Sequence, residues 1–217
     1  GILVYVNLQG KNPAASAGKI PKSLRGKNVI VEFTEPFRAL VKPAPSATVT
    51  VSHTAIQTPP IQLGTSGGWR NDLANGYCCG GTLGSLIRIN GGQYILSNYH
   101  VFESDIIDGG NGIVAGTGDS VIQPGLIDVG CNKSQAQSVA MLVKSSSLPD
   151  DNVDASIAEV VPGMVKSDGS ILEIGTISSQ TVAAKLKQTV KKSGRTTGLT
   201  SSTVSGLNAT VSVAYDN

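Results

Sequence analysis

The sequence has no long apolar run and few charged residues. No stretch of it approaches the ~20 consecutive apolar residues that a membrane-spanning helix needs, so we predict neither a membrane span nor a membrane partner. Charged residues make up 15% of the 217 positions, and the net charge is +2. Because proteins that bind nucleic acid are usually marked by a strongly basic surface, we also expect no nucleic-acid partner.

Cysteine is scarce, and its spacing argues against a metal site. The three cysteines, Cys78, Cys79 and Cys131, show neither a C-x-x-C spacing nor a paired histidine. Zinc sites depend on such groupings, so we predict no metal. The odd count leaves at least one thiol outside any disulfide within the chain, and a Cys78–Cys131 or a Cys79–Cys131 pair is open. Localisation, secreted or in a bacterial cytoplasm, is not decided by the sequence.

A sustained helical period is also missing, and short strands take its place. From residue 61 onward, short alternating runs are separated by turns rich in the chain's 26 glycines, a pattern typical of an all-β sandwich or barrel. One such run lies at residues 171–174. Residues 1–60 differ in composition and predict a small α/β or β extension followed by a linker. His53 lies in that linker and is predicted to be a surface histidine.

The clearest local signal is a hairpin that leads to a histidine. Asn90-Gly91 separates two alternating runs, residues 81–89 and 94–98, and Asn-Gly in this setting is the strongest short hairpin signal. The hairpin places His100 at the end of its second strand, where a scaffold could hold a general base. On its own, this position is equally typical of a core or loop histidine.

Two further stretches bear on the chemistry of His100. Asp154 opens an apolar strand, so its carboxylate could accept the Nδ1 proton of a histidine and fix the ring's tautomer; the alternative is an aspartate that only caps a strand. Gly118-Asp119-Ser120 begins like the motif of a catalytic serine, but Val121 stands where that motif has glycine. We therefore predict a turn there rather than a nucleophile.

A basic cluster lies late in the chain. We predict that it forms the solvated face of edge strands, where lysine also discourages unwanted strand pairing. Its members are Lys185, Lys187, Lys191, Lys192 and Arg195.

Together, these motifs resemble those of trypsin-like (chymotrypsin-fold) serine peptidases, and most closely the bacterial ones with an N-terminal extension. The resemblance rests on the residues around His100, on Asp154-Ala155-Ser156-Ile157-Ala158, and on the Gly-Arg-Thr-Thr-Gly stretch at 194–198. It implies a chymotrypsin-like double six-stranded β-barrel. Residues 1–60 would be the extension, residues 61–165 the first barrel, and residues 166–217 the start of an incomplete second barrel.

The resemblance also implies an activity. His100 would be the general base and Asp154 its orienting acid, in a serine endopeptidase that hydrolyses protein or peptide substrates through an acyl-enzyme. Chain order places the nucleophile last, but residues 1–217 contain no Gly-Asp-Ser-Gly motif. The expectation is therefore a processed chain whose serine lies on a separate C-terminal fragment.

Two alternatives remain open. The first is a catalytically inactive protein of the same fold that binds peptides by adding them to a strand edge. The second is a structural β protein in which His100 and Asp154 are unrelated, and it predicts that the two side chains lie far apart.

Overall fold

The structure is a computed structural model, and it describes residues 1–36, 51–74, 77–104, 112–143 and 153–210. The chain forms two compact units. The first comprises residues 1–41, 184–188 and 203–217, and the second comprises residues 42–183 and 189–202. The domain boundaries expected at residues 60 and 165 stay predictions.

The first unit is a small α/β sheet. Its elements are β1 (Ile2–Asn7), α1 (Pro13–Gly18), β2 (Ser23–Leu24) and β3 (Lys27–Thr34). Strand β1 pairs in parallel with β3, and β2 pairs antiparallel with β3. Helix α1 begins with a proline, which suits the first helical position because its missing N–H needs no partner there. Asn12 caps the helix by accepting the backbone N–H of Ala15.

The regular elements of the second unit are mostly strands, as expected for an all-β fold. Its longer elements are β4 (Thr65–Trp69), β5 (Leu73–Ala74), β6 (Tyr77–Cys78), β7 (Gly81–Leu83), β8 (Ser85–Ile89), β9 (Gly92–Ser97), α2 (Tyr99–Phe102), β10 (Ser120–Gln123), β11 (Gln137–Val143), β12 (Ser156–Val160), β13 (Thr189–Gly194) and β14 (Gly198–Thr203). Two short 3-10 turns, Leu126–Val129 and Lys133–Gln135, lie between β10 and β11.

Seven of these strands form one curled antiparallel sheet. Their order is β7-β4-β10-β11-β12-β9-β8, so the two ends of the sheet are strands that only Gly84 separates in the chain. A Cβ at Gly84 would lie 2.4 Å from the backbone oxygen of Leu96. Because backbone passes so close, only glycine fits between β7 and β8, and the chain can turn there from one end of the sheet to the other.

The predicted hairpin is confirmed as β8 and β9. Ile89 is paired with Gly92, and Asn90 and Gly91 between them both have positive φ, as a two-residue type I′ turn requires. His100, however, does not end a strand. It lies in the first turn of α2, whose other three residues, Tyr99, Val101 and Phe102, are buried.

Burial of apolar side chains explains why a helical turn replaces the expected strand end. The core is formed by inward-facing side chains of the curled sheet, among them Leu83, Ile95, Val121 and Leu142, and Phe102 belongs to the same cluster. Burying a side chain of this size contributes about 1.5–3 kcal/mol. The buried side chains of Tyr99, Val101 and Phe102 therefore anchor α2 on the sheet.

The strand predicted at residues 171–174 is wrong. Ile171 forms a parallel bridge with Leu63, but the chain then turns back at once, since the backbone N–H groups of Ile174 and Gly175 both donate to the Ile171 oxygen. Glu173 in this turn has a φ of 62°. The alternation of apolar residues here reflects two side chains that pack on either side of a tight turn, not an extended segment.

Of the two cysteine pairs left open, Cys78–Cys131 forms the disulfide.

The four lysines of the basic cluster are exposed, as predicted, but Arg195 is not. Its Nε and one terminal nitrogen each donate to the carboxylate of Asp128 at 2.6 Å. Asp128 is only 9% exposed at its side chain and also accepts the Ser66 hydroxyl proton, so the arginine is a partly buried ion-pair partner.

Candidate functional site

Two paired strands bring the predicted site residues together. Strands β9 and β12 run antiparallel, with Ser97 opposite Ser156. His100 follows Ser97 by three residues in α2, and Asp154 precedes Ser156 by two residues. The register therefore places the histidine and the aspartate at the same end of the strand pair.

The side chains of His100 and Asp154 are in direct contact. The Nδ1 atom of His100 lies 2.7 Å from Oδ2 of Asp154, and the backbone N–H of His100 donates to Oδ1 at 3.3 Å. A carboxylate oxygen accepts the hydrogen bond, so Nδ1 carries the proton, and in the neutral ring the basic lone pair is on Nε2. The two side chains are 32% and 26% exposed, so solvent reaches the pair.

Asn98 is a member of this site that the sequence reasoning missed. Its amide nitrogen donates to the backbone oxygen of Asp154 at 3.0 Å and to Oδ2 at 3.3 Å. Asn98 occupies the position before α2, where asparagine usually caps a helix, but its side chain makes no capping hydrogen bond. The capping rule thus misdirects, because the amide is used to hold the aspartate.

The strand that precedes the histidine is tied to the Gly-Arg-Thr-Thr-Gly stretch through Thr82. The Ser97 hydroxyl donates to the backbone oxygen of Thr82 at 2.7 Å. The Thr82 hydroxyl oxygen in turn accepts the backbone N–H of Arg195 at 3.0 Å. A Cβ at Gly194 would lie 3.0 Å from that same oxygen, so glycine allows β13 to approach β7 this closely.

The serine of the Gly-Asp-Ser motif is engaged elsewhere. Gly118 is in a turn with a φ of 89°, as predicted, and Ser120 begins β10. The Ser120 hydroxyl donates to Oγ of Ser138 at 2.5 Å, and the Asp119 carboxylate accepts the indole N–H of Trp69 at 3.1 Å. These contacts join β10 to its neighbouring strands in the sheet.

His53 is not the surface residue that the sequence suggested. It is buried, its Nδ1 lies 2.8 Å from the Gly64 oxygen, and its Nε2 lies 2.6 Å from Oε2 of Glu173. Because a carbonyl oxygen only accepts, Nδ1 donates to Gly64. No local pattern indicates this contact, because Glu173 is 120 residues away along the chain and lies in a turn where the sequence pattern predicts a strand.

Comparisons with family models, with curated proteins and with solved structures found no match to this chain. Within the part of the chain that the structure describes, no helix is long and apolar enough to cross a membrane. The same residues contain no group of three or more histidine, cysteine or acidic side chains that could hold a metal ion.

Proposed function

We propose that this chain supplies the general base and the orienting acid of a trypsin-like serine endopeptidase. In this proposal the curled seven-stranded sheet corresponds to the first barrel of a chymotrypsin-like fold. The order of its strands supports this: β7 and β8 form one bent stretch of chain that pairs with β4 at one end and with β9 at the other. If β7 and β8 are counted as one strand, the sheet has six strands, and this shared strand pairs with both β4 and β9. The two ends of the sheet are then joined, as they are in a six-stranded barrel.

The observation that carries the proposal is the contact between His100 Nδ1 and Asp154 Oδ2 at 2.7 Å. This is the contact by which a carboxylate fixes the tautomer of a catalytic histidine and stabilises its imidazolium form. A structural protein in which the two residues are unrelated predicts a long separation, and the short distance argues against that alternative.

The chemistry would proceed by acyl transfer. Nε2 of His100 removes the proton of a serine hydroxyl as the serine oxygen attacks the carbonyl carbon of the peptide bond. The protonated ring then gives this proton to the leaving amine, and the serine is left acylated. Water attacks the acyl-enzyme with Nε2 again as base, which releases the acid product. Asp154 stays ionised throughout and stabilises the ring while it carries two protons.

The proposal requires a nucleophilic serine that residues 1–217 do not offer in a Gly-Asp-Ser-Gly motif. We propose that it lies on polypeptide outside these residues, either continuous with them or held as a separate fragment. The substrate would be a protein or peptide, and no cofactor takes part.

Fluorophosphonate labelling of the full-length gene product tests this proposal. These reagents react with a serine that a neighbouring histidine activates, so we expect one labelled serine in the wild-type protein. Asp154→Asn, which favours the wrong tautomer of His100, should slow hydrolysis of a peptide substrate about 10,000-fold. His100→Ala should abolish labelling within the same assay time.

Asp168→Asn is the matched control, because Asp168 is a carboxylate whose hydrogen bonds go to the Ser170 backbone and to Thr176 rather than to a histidine. It should label and hydrolyse as the wild type does. A full-length protein that folds but neither labels nor hydrolyses peptides would reject the endopeptidase. Measurable binding of an extended peptide by that inactive protein would favour the binding module instead.

A further inference from the structure

A second contact joins the two elements that carry His100 and Asp154. Glu103 directly follows α2, and Ser156 is the first residue of β12. The Ser156 hydroxyl donates to Oε1 of Glu103 at 2.6 Å, and both residues are 1% exposed. A hydroxyl–carboxylate hydrogen bond is short and about twice as strong as a neutral one. The His100–Asp154 contact thus has a buried counterpart between the same two elements.

The backbone of Glu103 is fixed independently of its side chain. Its N–H donates to the Tyr99 oxygen at 2.8 Å and closes α2, and its oxygen accepts the backbone N–H of Ala115 at 2.8 Å. The main chain at Glu103 is therefore held by two hydrogen bonds that do not involve Ser156, and its buried carboxylate reaches Ser156 from this fixed point.

The side chain of Glu103 costs stability where it stands. Its Oε2 is buried and has no hydrogen-bond partner within the described residues. Leaving a buried polar atom unsatisfied costs about 1–3 kcal/mol, and an apolar side chain at this position would avoid that cost. A buried carboxylate with one partner is poorly explained by stability alone.

A role in holding neighbouring residues in place explains the buried carboxylate of Glu103 better. Helix α2 has only four residues, which is too short to hold its orientation without tertiary contacts. His100 lies about one helical turn before Glu103. Asp154 precedes Ser156 by two residues and lies outside the ladder of β12. Asn98 and the His100 backbone N–H contact Asp154 directly, and the start of β12 at Ser156 determines where the backbone of Asp154 lies.

We propose that Glu103 and Ser156 form a positioning pair that holds Asp154 against His100. Glu103 does not touch the reacting atoms in this role. It acts through Ser156, which fixes the start of β12 and with it the carboxylate of Asp154. The importance of the pair for catalysis rests on the proposed peptidase function, but the positioning itself does not.

Proton NMR of the folded protein tests the pair without any need for activity. The Nδ1–H proton of His100 should give a low-field signal because it is held by a carboxylate. In Ser156→Ala this proton should exchange with water at least ten times faster, because the start of β12 is held less firmly and the contact between Asp154 and His100 opens more often. Ser156→Thr retains the hydroxyl and should restore the wild-type rate.

Substitutions of Glu103 separate its hydrogen bond from its charge. Glu103→Gln keeps an acceptor oxygen but makes a neutral hydrogen bond of about half the strength, so it should speed the exchange of the His100 proton less than Ser156→Ala does. Glu103→Leu removes both and should behave like Ser156→Ala. Ser120→Ala, which deletes a hydroxyl hydrogen bond in β10, is the control and should leave the signal unchanged.

Wild-type exchange in folded Ser156→Ala overturns the proposal, and so does wild-type exchange in folded Glu103→Leu, because each variant lacks the hydrogen bond. Failure of the peptidase proposal gives a different result, in which the full-length protein is inactive while these exchange rates follow the pattern above. In an active protein, Ser156→Ala should lower kcat and leave KM unchanged.

Discussion

Replacing Arg195 with methionine removes one partner of a partly buried ion pair. The guanidinium makes two hydrogen bonds of 2.6 Å to the carboxylate of Asp128, and the two side chains are 19% and 9% exposed. In Arg195→Met the carboxylate keeps the Ser66 hydroxyl as a hydrogen-bond donor but loses its positive partner. An uncompensated charge then remains in a site that water hardly reaches.

The expected cost in unfolding free energy lies between about 1 kcal/mol, the upper value for an exposed ion pair, and about 3–5 kcal/mol, the range for breaking a fully buried one. Urea denaturation measures it, and the chain's single tryptophan, Trp69, provides the fluorescence signal. Trp69 is buried in β4, the strand that also contains Ser66, so its emission reports unfolding of the unit that holds the ion pair.

Two further variants test whether this cost comes from the ion pair. Arg195→Met combined with Asp128→Leu removes both charges and should recover part of the loss, because apolar pairs replace buried ion pairs at little or no cost. Arg88→Met deletes an exposed hydrogen bond to the Ser167 oxygen and should cost less than about 1 kcal/mol. If Arg195→Met costs no more than Arg88→Met, the pair is not a buried one in solution and the argument fails.

Three other predictions follow from the structure. Gly84→Ala should destabilise the curled sheet, because its Cβ would lie 2.4 Å from the Leu96 backbone oxygen; overpacking costs about 1–3 kcal/mol, and an unchanged urea midpoint would contradict this. Reducing the Cys78–Cys131 disulfide, or replacing both cysteines by serine, should cost about 4 kcal/mol of loop entropy, measured by urea denaturation of the oxidised and reduced proteins. The pKa of Asp168 is lowered, chiefly by the backbone N–H two residues later, so its stabilising contribution is present above the ordinary pKa and is lost as pH falls through the lowered one; an NMR titration midpoint at or above the ordinary value refutes this.

The features that the sequence predicts correctly depend on short, continuous stretches of the chain. Asn90-Gly91 predicts the hairpin because two residues with positive φ are needed in its turn, and the structure has both. The motifs around His100 and Asp154 predict the contact between these two residues, and the register of β9 and β12 brings them to the same end of the strand pair.

What escaped prediction depends on contacts between distant parts of the chain. The buried His53, the ion pair of Arg195 and the buried Glu103 each look like ordinary surface residues in sequence. Their environments are set by partners 53 to 120 residues away. No local period or turn signal carries that information. The helical turn at α2 escaped for a related reason, since it forms to bury Phe102 against side chains of the sheet.

The separation of His100 from Asp154 along the chain has a consequence for how the molecule is assembled. The β8–β9 hairpin closes over a two-residue turn and can form within microseconds of its synthesis. The contact with Asp154 spans 54 residues and must wait until β12 has been made and has closed a much larger loop. A growing chain therefore contains His100 well before Asp154, and the contact between them forms only once the sheet is assembled.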